Sequence, residues 1–325
     1  MKTLVLGGAG FIGCHLADRL SRDGHAVTVV DDLSRGRADA ELAAVLDRPG
    51  VRFVQADLTE RASFDALGDG WDQIWMLAAI VGVRNVERDP ARVVRVNTLA
   101  ALHLVDWAPT GTGMVFFAST SEAYAAAVDV GVAPVPTPEE VLLGVTDVTH
   151  PRFAYAASKI LGEAAVVHGL GARGVPFVIG RFHNVYGPRM GADHVIPELA
   201  LRALAREDPF PVWSVDQRRA FCYVSDAVDA MLALAATREA HGQIVNIGND
   251  TDEVRIGDLA ALVLGVVGHA PRVEPRPAPS GSIARRCPDL ARLRRLTGFV
   301  PKVPLETGVR ATLSWYRAWR ERSVR

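Results

Sequence analysis

At 325 residues the chain has room for about two domains, or one large α/β domain with an annex. Apolar residues make up 49% and the formal net charge is −1, which gives no argument for nucleic acid or an anionic membrane surface as partner. Cys14, Cys222 and Cys287 are too widely spaced for a disulfide framework or a CxxC metal site, so a reducing cytoplasm is the expected compartment and no metal is expected.

Residues 2–6 form a short apolar run, followed by a glycine-rich turn and a helical pattern through Leu20. Ala26 to Val30 is a second apolar, β-branched run, ended by Asp31 and Asp32. Further strand-like runs are Val51–Gln55, Ile74–Ala79, Met114–Ala118 and Val175–Ile179, with helical stretches between most of them. The longest apolar run, Ile74 to Val83, is about half of what a membrane span needs. The sequence opens on a strand, with no signal peptide expected ahead of it. Continuous apolar strands alternating with helices predict an α/β fold, a doubly wound parallel sheet covered on both faces. After Arg181 the segments shorten and Pro and Gly become frequent. Val224–Ala236 reads as a helix and Gln243–Ile247 as a strand that could return to the first sheet. The Pro-rich stretch 270–282 reads as a surface loop. The expected division is a dinucleotide-binding Rossmann domain, 1–180 plus 223–247, and a smaller substrate domain, 181–222 plus 248–325.

"LVLGGAGFIG" carries glycines at 7, 8, 10 and 13 directly after the first strand. Such glycines let the backbone turn tightly against a pyrophosphate, whose charge then sits on the N-terminus of the next helix. Asp31, 18 residues past Gly13, stands where a carboxylate accepts from the adenosine ribose hydroxyls. A carboxylate there repels a 2′-phosphate, which favours NAD over NADP, although Arg35 and Arg37 lie nearby in sequence. Asp57 reads equally as an adenine contact or a strand-end cap. The expected cofactor contacts are Gly7, Gly10, Phe11, Ile12, Gly13, Asp31, Asp32, Ser34, Asp57, Leu58 and Ala78. Tyr155 and Lys159 of "YAASK" complete the set; four residues apart, they share one face of a helix. A phenol titrates too high for a base at neutral pH, but a nearby ammonium and an oxidised nicotinamide would lower it.

With Thr120 upstream, the chain resembles the extended short-chain dehydrogenase/reductases that modify nucleotide sugars. The resemblance spans nearly its whole length: GGAGFIG, the DDLSRG phrase, ASTSE, the Tyr155/Lys159 pair, "RFHNVYGPRM" at 181–190 and "QRRAFCYVSDAV" at 217–228. It implies that Thr120 and Tyr155 share the proton of the sugar 4-hydroxyl, that Lys159 fixes the ribose, and that NAD takes the hydride. It also implies that Asn184 holds the nucleotide-sugar diphosphate, that Arg219 and Arg286 lie near the sugar and phosphates, and that two helices, around 90–107 and 153–170, form a homodimer. Arg286 also reads as one of a basic surface face. His183 and the cysteines read as packing or solvated residues.

Which reaction follows the 4-ketone turns on the letters after Thr120. A 4-epimerase has no need of a carboxylate at 122. A 4,6-dehydratase of this family has Asp where Ser121 stands, and a hydroxyl has no accessible proton to give at neutral pH. A double epimerase would need Cys in place of Glu122. "ASTSE", "PRFAY" with Arg152, and "YGPRM" look like the UDP-glucuronate decarboxylase pattern, in which the ketone makes a β-keto acid and carbon dioxide leaves. Ser121, Arg152, Asn184, Arg219 and Arg286 are then the expected substrate contacts, and Thr120, Glu122, Tyr155, Lys159 and Arg219 the expected catalytic groups. Glu122 would position water or sugar hydroxyls, or repel the uronate carboxylate. Ala125, the loop 126–150 and "LAAIVGV" at 77–83 depart from that pattern, so a UDP-glucose or UDP-glucuronate 4-epimerase stays as the alternative. A non-catalytic NAD sensor on the same fold would be expected to lose the Tyr or the Lys, and both are present.

Overall fold

The computed structural model describes residues 1–278 and 282–323. The first half alternates strands and helices: β1 Lys2–Leu6, α1 Phe11–Arg22, β2 Ala26–Asp31, α2 Ala40–Leu46, β3 Val51–Gln55, α3 Arg61–Asp65 and β4 Gln73–Met76. It continues through α4 Val83–Arg88, α5 Pro90–Trp107, β5 Met114–Thr120, α6 Ala125–Asp129, α7 Ala154–Ala165 and β6 Phe177–Phe182. The shorter elements follow: β7 Val185–Tyr186, α8 Val195–Leu204, β8 Phe210–Trp213, β9 Arg218–Ala220, β10 Cys222–Tyr223, α9 Val224–Ala236 and β11 Gln243–Ile247. Last come β12 Glu253–Arg255, α10 Ile256–Val267, β13 Val273–Arg276, β14 Arg285–Arg286, α11 Ala291–Thr297 and α12 Leu305–Ser323.

Seven strands form one parallel sheet in the order β11-β6-β5-β4-β1-β2-β3. The order reverses between β1 and β4, and in such doubly wound sheets ligands bind outside the carboxyl ends of the strands at that point. Side chains alternate across it. Val5, Trp75 and Phe116 enter the core shared with α1 and α9, whereas Leu4, Leu6, Ile74, Met76, Val115 and Phe117 enter the core under α5. Both faces are therefore apolar, which is why these strands read as continuous apolar runs. A third core gathers Tyr186, Leu199, Phe210, Leu259, Val263, Val309 and Leu313 around α8, α10 and α12. We propose the two units expected from sequence, with α11 of the second sending Leu293 into the first core. Among the described residues no helix is long and apolar enough to cross a membrane, and no cluster of His, Cys, Asp or Glu could hold a metal ion.

Several local readings shift. Strands β5 and β6 run to Thr120 and Phe182, past the apolar runs, because each polar residue there still meets a ladder partner on its neighbour. The segment 126–150 begins with the short helix α6 before becoming irregular. Stretch 270–282 is not loop throughout: Val273–Arg276 pairs in parallel with Phe210–Trp213. Pro275 is tolerated because the pairing is a two-stranded ribbon, leaving an edge where a missing N–H costs nothing. Residues 279–281 of that stretch lie outside the described residues.

One buried ion pair ties the sheet to α7. Arg181 of β6 donates through Nε and Nη2 to the two carboxylate oxygens of Glu163, at 2.9 and 2.7 Å, with both side chains at most 3% exposed. Replacing Arg181 with Met strands the Glu163 carboxylate and is expected to cost about 3–5 kcal/mol. Arg310→Ala, at an exposed pair with Glu306, is expected to cost less than about 0.5 kcal/mol. Denaturant midpoints of the two variants measure the contrast.

Candidate active site

The turn after β1 is built so that only glycine fits where the chain comes closest to itself. Gly7 has φ +84°, and a Cβ there would lie 2.5 Å from the Ala78 amide nitrogen. At Gly13 a Cβ would lie 2.2 Å from the Gly7 carbonyl oxygen. The turn hands the chain to α1, whose first N–H groups have no intrahelical acceptor and face an anion site. At the end of β2, buried Asp31 accepts from the Ala9 and Leu33 amides at 3.1 and 2.9 Å. Burial raises its pKa, and these two hydrogen bonds oppose the rise.

Two adjoining cavities open above this switch point. The narrower, about 110 Å³, is bounded by Asp31, Asp32, Ser34, Asp57, Leu58 and Ala78 beside Gly7 and Gly10, which gathers the expected adenosine-end residues. The larger, about 740 Å³, shares Gly7, Gly10 and Ser34 and adds Phe11, Ile12 and Gly13. It then runs past Thr120, Tyr155 and Lys159 to Ser121, Glu122, Arg152, Asn184 and Arg286. The glycine cradle, the carboxylate at the β2 end and a cleft continuing from it fit a dinucleotide.

Helix α7 presents Tyr155 and Lys159 to the end of β5. Tyr155 hydrogen-bonds Thr120, while Lys159 Nζ donates to the Ala118 carbonyl at 2.7 Å. Burial pushes the Tyr155 phenol well above its usual value; the Thr120 bond and the charge of Arg35 pull it down, and Glu122 adds to the rise. Burial likewise brings the Lys159 ammonium down to about 8, against the opposing charge of Glu163. Without a cationic ring at the site, the phenol is therefore no base at neutral pH.

Glu122 sits in the 3-10 turn Ser121–Tyr124, its amide donating to Thr120 Oγ1 at 3.2 Å. Its carboxylate accepts from Arg286 Nη1 at 2.5 Å. Burial would raise its pKa, but the charge and hydrogen bond of Arg286, with the charges of Arg152 and Arg219, hold it below the ordinary carboxylate value. Arg286 is 12% exposed, so it is no member of a solvated basic face, and its Nε and Nη2 are buried without a protein partner. Asn184 has φ +38° and donates to the Ala220 carbonyl at 2.9 Å. Arg219 is near enough to feel Glu122 yet is not part of the cleft wall: it donates to the carbonyls of Arg218, Ile283 and Ala284 and to Gln217 Oε1. Burial, Arg286 and Arg152 all disfavour its charge and Glu122 supports it, but a guanidinium stays protonated at neutral pH.

His183 is pushed down to about 3 by burial, sits against Tyr124 and Asn246, and stays neutral. All three cysteines are buried and unpaired. Val81 to Val83, from the divergent stretch 77–83, line the same cleft. Sequence reasoning missed Arg189 and His194 of this wall; "YGPRM" contains the arginine, but nothing local in it signals where that side chain goes.

Residues 3–248 match the family model described as "NAD dependent epimerase/dehydratase family". UDP-N-acetyl-alpha-D-glucosaminuronate decarboxylase of Bacillus cytotoxicus is 32% identical over 97% of this chain and 98% of its own length. UDP-glucuronic acid decarboxylase 1 of Xenopus tropicalis is 31% identical, covering 97% of this chain and 72% of that protein. The crystal structure of a UDP-glucose 4-epimerase with UDP-glucose from Thermotoga maritima superposes with a TM-score of 0.85 at 26% identity, covering 98% and 100% of the two chains.

Replacing Gly13 with Ala puts a methyl against the Gly7 carbonyl, an overpacking of about 1–3 kcal/mol at the pyrophosphate turn. Purified Gly13→Ala protein is expected to retain much less dinucleotide than wild type, measured by the absorbance of cofactor released on denaturation.

Proposed function

The chain belongs to the NAD-dependent epimerase/dehydratase family, and from that premise we propose that it decarboxylates a UDP-linked uronic acid by way of a 4-keto sugar. Its cofactor is NAD, which supplies the hydride acceptor and, when oxidised, a positive charge beside the phenol. The observation that carries the substrate class is the charge at the far end of the cleft. Glu122 there feels the charges of three arginines, Arg286, Arg152 and Arg219. That leaves a positive excess suited to a sugar bearing a carboxylate as well as a diphosphate.

In this reading Tyr155, ionised when the cofactor's charge joins that of Lys159, accepts the 4-hydroxyl proton through or beside Thr120. The carbon–hydrogen pair at carbon 4 departs as hydride and the ketone forms. The carboxyl on carbon 5 is then β to a carbonyl; its bond to carbon 5 breaks, carbon dioxide leaves, and the electron pair is held as the enolate. A proton returned to carbon 5 completes the UDP-4-ketopentose, which is released as such with carbon dioxide and two hydrogens lost, or, where the hydride returns to carbon 4, as UDP-xylose with carbon dioxide the net loss. Glu122, kept ionised by Arg286, serves as an acceptor that fixes sugar hydroxyls or water and cannot donate a proton. Asn184 and Arg286 take the diphosphate side, and Arg219 acts by its charge from behind the cleft wall.

A 4-epimerase is the second reading, favoured by the close superposition on a UDP-glucose 4-epimerase. Incubation with UDP-glucuronate, and in parallel with its 2-N-acetylamino uronate counterpart, separates them by product mass. Loss of carbon dioxide is expected. An isomer of unchanged mass, or turnover of neutral UDP-hexoses alone, would sink the decarboxylase reading. Tyr155→Phe is expected to lose roughly 10²–10⁴-fold in turnover with its NAD content unchanged, and Glu122→Gln to slow decarboxylation. Val94 and Leu102 of α5 and Leu161 of α7 are exposed apolar residues, which supports the further proposal that a homodimer forms through these helices. Light scattering at the elution peak measures that mass.

A further inference from the structure

Arg189 leaves β7 in a left-handed conformation, φ +73°, that a non-glycine residue adopts only when its surroundings enforce it. Its guanidinium is 2% exposed. Nε donates to the two Asp39 carboxylate oxygens at 2.8 and 3.1 Å. Nη1 donates to the carbonyls of Ala9 and Gly10 at 3.0 and 2.7 Å. Nη2 donates to the Arg37 carbonyl at 2.8 Å and to Asp39 Oδ1 at 2.9 Å. A guanidinium has five N–H groups, and these acceptors use them all. Although Arg189 borders the cleft, it has nothing left to offer a ligand.

What it holds is informative. Ala9 and Gly10 lie in the turn between β1 and α1, and Arg37 and Asp39 end the loop that follows Asp31 and carries Ser34. A trans peptide points the N–H of the next residue opposite to its carbonyl. Drawing the Gly10 carbonyl toward Arg189 therefore keeps the Phe11 N–H, which has no intrahelical acceptor, turned the other way. The Arg37 amide closes the arrangement by donating to the Ala9 carbonyl at 3.1 Å. The stretch that delivers Arg189 also supplies Asn184, Met190 and His194 to the sugar end of the cleft. It is pinned on its other side by His15 on the Pro188 carbonyl and Tyr316 on the Met190 carbonyl.

We propose that Arg189 is the positioning residue for the dinucleotide pyrophosphate: reaching from the substrate side, it sets the glycine turn and the loop after β2 in the geometry that binds NAD. Losing it leaves the Ala9 and Gly10 carbonyls and the Asp39 carboxylate with only the Arg37, Cys14 and Leu42 amides as donors, and loosens the link between the turn and the loop.

Calorimetric titration of NAD-stripped full-length protein with NAD tests this, using Arg189→Met, Arg189→Lys and Asp39→Asn. Leu259→Ala, a cavity in the core of the second unit, is the control for lost stability alone. NAD affinity is expected to fall roughly tenfold or more in Arg189→Met. Arg189→Lys, keeping the charge but too few donors, is expected to recover part of it, and Asp39→Asn to fall between Met and wild type. Affinity in Arg189→Met within about twofold of wild type, or no weaker than in a Leu259→Ala protein of equal Tm, would overturn the proposal. If Arg189→Met does not fold, the same two criteria apply to Arg189→Lys and Asp39→Asn. None of these readouts uses the sugar's identity, so either outcome leaves the decarboxylase reading where it stands.

Discussion

The site depends on how closely α7 lies along the end of β5. Three side chains spaced by four on that helix reach the strand in succession: Tyr155 to Thr120, Lys159 to the Ala118 carbonyl, and Glu163 to Ser119. Gly162 permits the approach, since a Cβ there would lie 2.6 Å from the Phe117 ring. Arg181 then clamps Glu163 from the next strand. A slide of α7 by one turn would cost every one of these contacts at once. Tyr155 and Lys159 are therefore held by the same packing that closes the core.

The electrostatics divide along the cleft. Near the sheet, burial dominates and works against charge on both Tyr155 and Lys159, so the phenol keeps its proton until a further positive charge arrives, while Lys159 stays largely charged at neutral pH. At the far end arginines dominate and keep Glu122 ionised despite its burial. Two titratable environments of opposite tendency thus share one cavity.

Much of the fold was legible because a parallel sheet with both faces covered leaves an unmistakable mark. Runs such as Met114–Ala118 are apolar at every position, and glycines at 7, 10 and 13 stand where the backbone must touch itself. Tyr155 and Lys159 could be placed on one face from their spacing alone. What escaped were contacts between residues far apart in sequence. Glu122 meets Arg286, 164 positions away, and no local pattern encodes that; nor does one show Arg219 spending its donors on carbonyls at 218, 283 and 284. Strand β13 was hidden because Pro275 reads as a breaker, and only the edge of a two-stranded ribbon makes it acceptable.

The path of the chain has a consequence for its making. The sheet gains its last strand, β11, only after the polypeptide has passed through β7 to β10 of the second unit. Helix α12 then comes back to the first unit, where Trp315 Nε1 donates to Glu41 at 2.8 Å and Arg322 pairs with the same carboxylate at 3.1 Å. The glycine turn at 7–13 is thus made well before Trp315 and Arg322 can reach Glu41. Until β11 is made, β6 is an exposed edge open to stray strands. Closure of the sheet and the return of α12 are therefore separate events in this topology, the first complete at Ile247 and the second only when Trp315 and Arg322 meet Glu41.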